Sequence, residues 1–82
     1  MQATDHFTNT YVEKDGVGYY VNGIISYVIT DTPSETFVSK VNDFIVGKIV
    51  PVDDNDEVYE DDVFEEGELE DLIVATINKE FQ

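Results

Sequence analysis

The sequence predicts an α+β domain, a three-stranded antiparallel meander packed with one or two helices and an acidic connection between them. Three observations predict it. Residues 9–30 alternate around two Asx-Gly pairs. Residues 37–45 repeat apolar side chains at helical spacing behind a helix-start signal. A dense run of acids then separates that repeat from a second one over residues 69–81.

Met1 to Thr8 carry no periodic signal and are expected to form a loose arm. Strand signal begins at Asn9 and runs to Thr30. Asp15-Gly16 and Asn22-Gly23 each supply the positive φ values of a two-residue type I′ hairpin. Closing the chain at both turns pairs Lys14 with Val17 and Val21 with Ile24, and sorts the side chains by the period of two. One face then collects Val12, Val17, Tyr19, Val21, Ile24 and Val28, the better candidate for a helix-covered core. The other collects Tyr11, Tyr20, Ile25, Tyr27 and Ile29, either a second layer or a recognition surface.

Thr32-Pro33-Ser34-Glu35 reads as a capping box with Pro at the first helical position. Phe37, Val41, Phe44 and Ile45, widened by Val38, then form one apolar stripe. Gly47 suits the left-handed residue past a helix end, and Lys40 and Lys48 lie where the helix dipole favours cations. The expectation is a helix from about Pro33 to Val46. Lys48 to Val52 reads as a short strand that Pro51 confines to a sheet edge. At the carboxyl end, Leu69, Leu72, Ile73, Ile77 and Phe81 predict a helix, its amino end favoured by Glu68, Glu70 and Asp71. The β-branched run Ile73 to Ile77 leaves a strand as the competing reading.

Eighty-two residues, 41% hydrophobic with ten aromatics, suffice for one small domain with a core. The chain contains no Cys, which excludes disulfides and thiolate metal sites and is compatible with a reducing compartment. MQATDHFTNT lacks the basic and apolar regions of a signal peptide, and Val21 to Ile29 is too short to span a bilayer. A cytoplasmic protein is expected. Its net charge of −15 repels nucleic acid and anionic membranes, so the complementary partner is a cationic surface. The oligomeric state is open, a dimer included.

That charge is concentrated in the stretch DDNDEVYEDDVFEEGELED. Twelve of its nineteen residues are carboxylates: Asp53, Asp54, Asp56, Glu57, Glu60, Asp61, Asp62, Glu65, Glu66, Glu68, Glu70 and Asp71. No Lys, Arg or His interrupts them, and their mutual repulsion works against the compact state. A run of acids is most often a solvated tail. This one is central in the chain, and the apolar pairs Val58-Tyr59 and Val63-Phe64 would pin it to the domain.

Catalysis has little to draw on. The one His lies in the expected arm, and no GxSxG, Walker A, GxGxxG or HExxH pattern is present. No cofactor is implied. The carboxylates would suit a hard cation, but an EF-hand loop fails: counting from Asp53 puts Val58 at its glycine position, and counting from Asp54 puts Tyr59 there. Nucleic-acid mimicry fits better. Phosphates recur about every 6–7 Å along a DNA strand, near the step between alternate strand residues. Carboxylates three or four apart on a helix stand about 5–6 Å apart. Asp5, Glu13, Asp15, Asp31, Glu35 and Asp43 would extend the line if the fold brings them to one side.

In size, charge and α+β outline, with DDNDEVYEDDVFEEGELED as the stretch that carries it, the chain resembles the small acidic phage-encoded DNA-mimic proteins. Among them it looks most like inhibitors of the histone-like nucleoid protein HU. The resemblance implies a stoichiometric inhibitor that occupies the basic DNA-binding surface of a host protein, with no catalytic step; the net charge already argues against direct contact with nucleic acid or membrane. The alternative is an acidic interaction or structural module that uses the tyrosine face. A calcium-dependent module comes third.

Overall fold

The computed structural model describes residues 2–81 of the chain. They form three strands, β1 (Gln2–Lys14), β2 (Val17–Asp31) and β3 (Thr36–Pro51), then two helices, α1 (Glu60–Val63) and α2 (Glu68–Glu80). The strands pair antiparallel in the order β1-β2-β3, and α2 buries Leu69, Ile73 and Ile77 against one face of the sheet. This is the α+β meander with helices that the sequence predicts. Several of its parts come from segments that were expected to do something else.

Asp15 and Gly16 take φ values of 52° and 83°, and Lys14 pairs with Val17, as the hairpin signal requires. The Asn22-Gly23 signal does not make a turn. It lies within β2, at the point where both neighbouring strands slip register, β1 between Phe7 and Thr10 and β3 between Val46 and Lys48. Asn9, left-handed at φ 59°, occupies the β1 bulge, and its N–H donates to Asn22 Oδ1 at 2.8 Å. Bulges on both flanks bend a sheet and raise its twist. Gly23 is required there for a different reason than a turn: a Cβ on it would collide with the Ile45 carbonyl oxygen and lie 2.7 Å from the Phe7 ring.

Because β2 runs straight through, its faces differ from those expected. Tyr19, Val21, Ile25 and Tyr27 are all buried on the α2 side, with Ile29 partly buried beside them. Ile24 and Val28 alternate onto the opposite side with Tyr20, and Tyr11 of β1 pairs there with Tyr20. The expected tyrosine face is therefore split, with Ile25, Tyr27 and Ile29 in the core. Val17, expected in the aliphatic face, is exposed beside the hairpin.

The helix expected over Pro33 to Val46 is a strand, and β3 continues to Pro51, taking in the short edge strand expected at Lys48 to Val52 up to that residue. The capping box forms in part: Glu35 N–H donates to Thr32 Oγ1 at 3.1 Å, and Thr32 N–H to the Glu35 carbonyl at 2.8 Å. These bonds close the β2–β3 connection, helped by Thr36 Oγ1 donating to Asp31 Oδ1 at 2.6 Å. The apolar residues of β3 that face α2 are Val38, Val41, Phe44, Val46 and Ile49, paired with Ile29, Tyr27, Ile25, Gly23 and Val21. Ser39, Asn42 and Gly47 are the extra residues at its three register shifts. Each insertion lengthens the strand period from two to three, which imitates helical spacing, and Gly47 is one of the insertions instead of a helix terminator. The β-branched content of the segment favours the strand.

The loose arm expected for residues 1–8 is the first half of β1 from Gln2 onward, while Met1 lies outside the described residues. Phe7 anchors it, buried over Gly23 and stacked on Phe44 with ring centroids 6.0 Å apart. The helix expected at the carboxyl end is α2, in spite of its β-branched run. Asn78 of α2 ties it to the sheet, its Oδ1 accepting the Val38 N–H at 2.8 Å. Since Gly23 has no room for a methyl group, Gly23→Ala is expected to destabilise the fold by about 1–3 kcal/mol, the range for overpacking. Urea unfolding would show a lower midpoint at unchanged slope.

Candidate functional site

Past Pro51 the chain turns along the hairpin end of the sheet. Val52 N–H donates to the Gly18 carbonyl at 2.9 Å, and Asp54 Oδ1 accepts the Asp56 N–H at 3.1 Å, closing a short loop of acids. Val58 then bridges to Ile49, its N–H donating to that carbonyl at 2.9 Å, which covers part of the outer edge of β3. One turn of helix follows as α1. Gly67, at φ 80°, reverses the chain into α2.

Apolar side chains hold this path to the domain. Phe64 is 4% exposed and meets Tyr19 edge-on, with ring centroids 5.5 Å apart, and Leu69 is fully buried. Val58 and Val63 pack partly buried against the core. Tyr59, expected to be a pin, is 74% exposed and projects outward. Burying a Phe or Leu side chain contributes about 1.5–3 kcal/mol each, enough to hold a short segment against moderate repulsion.

The twelve carboxylates separate into two groups. Asp53, Asp54, Asp56 and Glu57 in the loop, Asp61 and Asp62 on α1, Glu65 and Glu66 after it, and Asp71 on α2 are all exposed. Glu60, Glu68 and Glu70 are half-buried. Glu68 is set apart by its contacts. It accepts from Lys14 Nζ in the one ion pair among the described residues, and from the Glu65 N–H at 2.9 Å. The hydrogen bond from Lys14, then that from the Glu65 N–H, lowers the Glu68 pKa, and the bond to Glu68 raises that of Lys14. Glu68 is thus a joint between the hairpin and the first turn of α2, where the dipole also favours its charge. Lys14 additionally lies over the Phe64 ring, 5.8 Å from its centroid.

Of the acids expected to extend the line, two do so. Asp15 and Glu65 both act on Lys14, and Glu13 and Asp53 both act on Tyr11, whose pKa is raised by burial first and by these carboxylates after it. Glu13 and Asp15 therefore join the block at the hairpin end. Asp5 instead neighbours Glu80: both act on Tyr27, whose pKa burial and these two charges raise. Asp31 and Glu35 flank the β2–β3 connection, and Asp43 lies with Ser26 on the sheet face away from α2. The role of Lys14 was not visible in the sequence, since its partner is 54 positions away.

Among the described residues no three His, Asp or Glu side chains are placed to hold a metal ion, and no helix is long and apolar enough to cross a membrane. No protein-family model, curated protein or solved structure matches the chain.

Two outcomes are expected. The pKa of Glu68 is depressed in the folded state, so its contribution to stability is present above its ordinary value of 4.5 and is lost as pH falls through the depressed value. The stability difference between the native chain and Glu68→Gln should therefore be positive at neutral pH and shrink to nothing in acid, as read by paired urea titrations. With a net charge of −15 and one ion pair among the described residues, added salt should raise the melting temperature, because screening removes more repulsion than attraction. Differential scanning calorimetry at about 0.02 and 0.5 M salt would read that rise, over which the Debye length shortens roughly fivefold.

Proposed function

We propose that the 53–71 surface occupies the basic DNA-binding surface of a host nucleic-acid-binding protein, such as the nucleoid protein HU, and displaces DNA from it. The observation that carries this reading is the state of the carboxylates. Nine of the twelve are exposed, and the segment bearing them is anchored through Phe64 and Leu69 rather than free. An anchored array presents its charges without the ordering entropy that a disordered tail loses on binding.

The magnitudes are compatible with a stand-in for duplex. The molecule is 42 Å long. DNA of that length carries about 25 phosphate charges at one per ~1.7 Å, against a net −15 here. The charge density is thus more than half that of the duplex. Glu13 and Asp15 add to the array at the hairpin end, while Glu68, committed to Lys14, contributes little to it. In this reading the protein acts in the cytoplasm by stoichiometric occupation, without catalysis or a cofactor.

A competition experiment tests it. A labelled duplex bound to HU is titrated with this protein while fluorescence anisotropy is read, at several salt concentrations. Displacement at near-stoichiometric ratio is expected, with an affinity that falls steeply and log-linearly with salt. Replacing Asp61 and Asp62 with Asn and Glu65 and Glu66 with Gln should weaken binding about 4- to 1,000-fold, at roughly 0.2–1 kcal/mol per lost pair. The fold should remain intact or gain stability. Unchanged affinity in that variant, or affinity indifferent to salt, would overturn the proposal.

A further inference from the structure

We infer that the cleft between the outer edge of β3 and residues 57–60 receives an arginine side chain of a basic protein. That the same protein is a DNA binder rests on the function proposed above. The cleft holds about 220 Å³, below the roughly 300–1,000 Å³ of pockets that take a drug-sized ligand, and suits a single side chain. Glu57, Tyr59 and Glu60 line it from one segment, and Gly47 and Lys48 from the bulged part of β3, with Val46 and Val58 between them. Tyr59 supplies an aromatic wall. At 74% it is the most exposed of the large hydrophobic side chains among the described residues. A lone exposed apolar residue is ordinary, but this one stands on a backbone fixed from both sides. Val58 N–H donates to the Ile49 carbonyl at 2.9 Å, and the Tyr59 carbonyl accepts the Asp62 N–H at 3.1 Å. Little backbone ordering is therefore left to be lost on binding.

Charge selects the occupant. Glu57 and Glu60 bracket the ring in sequence, and among the described residues neither carboxylate is ion-paired, Lys48 included. Two anions and one cation leave the lining with one net negative charge. Among the described residues no third acid or His is placed beside the two glutamates to complete a metal site, which favours an organic cation. Of the two cationic side chains, arginine matches the lining better. Its planar guanidinium stacks on an aromatic face while its N–H groups reach carboxylates, whereas an ammonium is a point charge. Its aliphatic stem has Val46 and Val58 to lie against. Tyr and Arg are also the residue types that concentrate binding energy at interfaces.

The test titrates the isotopically labelled full chain with N-acetyl-arginine amide at constant ionic strength, following amide shifts by NMR. The lysine and citrulline amides serve as controls of equal charge and of equal shape. Saturable shifts confined to residues 46–49 and 57–60 are expected with the arginine compound, at a dissociation constant on the order of millimolar. The lysine compound should bind more weakly, and neutral citrulline more weakly still. Tyr59→Ala should weaken arginine binding about 2- to 5-fold, while Tyr59→Phe, which keeps the ring, retains it. Lys48→Gln should tighten it. Equal binding of arginine and lysine, shifts spread over all the acids of 53–71, or indifference to Tyr59→Ala would overturn the proposal. Displacement of DNA from HU separates the cleft from mimicry. Tyr59→Ala removes no charge, so it should lower that affinity by a similar factor at every salt concentration without changing the salt slope. A native chain that binds the arginine compound at the cleft but displaces no DNA would refute mimicry and keep the cleft. Displacement of DNA without arginine binding would refute the cleft alone.

Discussion

Like-charge repulsion within residues 53–71 is the constraint to which the rest of the molecule responds. Each stretch of exposed acids is followed by an apolar or hydrogen-bonded fixture: Val58 on the edge of β3, Phe64 against Tyr19, Glu68 on Lys14 and Leu69 in the core. The fixtures are close together in sequence, so no long run of acids is left without a tether. The sheet supplies the other half of each contact. Tyr19 and Lys14 flank the hairpin, so the turn at Asp15-Gly16 positions the groups that receive the acidic segment.

The same arrangement divides the molecule by electrostatic character. Helix α2 and the loops before it present anions, whereas two of the four lysines, Lys40 and Lys48, lie on the bare side of the sheet. Alternation along β2 enforces the division, because the residues that bury against α2 oblige their neighbours to point the other way. Where β3 would lose that alternation over sixteen residues, its three bulges restore it by inserting Ser39, Asn42 and Gly47.

What could be read from the sequence, and what could not, follows from the range of the interactions. The hairpin at Asp15-Gly16 and the helix at Glu68 to Glu80 were legible because their signals are local, a pair of left-handed residues and an uninterrupted apolar stripe. The strand at Thr36 to Pro51 was not. Bulges are decided by the partner strand, and with them an apolar spacing of three follows a hydrogen-bonded Thr32–Glu35 turn that starts like a helix. Asn22-Gly23 misled for a related reason: its residues answer to Asn9, Phe7 and Ile45, all distant in sequence. The acidic segment itself was plain from composition. Which carboxylates stay free and which one is structural depended on Lys14, and no local pattern links it to Glu68.

The order of elements also bears on synthesis. All three strands precede the acidic segment, and α2 comes last. At about 5–20 residues per second, roughly 1.5–6 s separate the completion of β3 from that of α2. A hairpin closes in microseconds, so strand pairing would precede α2, and Val21, Ile25 and Ile49 are fully buried only in the fold that α2 completes. The next segment to leave the ribosome is the most highly charged in the chain. Tethered beside that surface, a segment of this charge would repel neighbouring nascent chains of the same sequence until the helix closes the core.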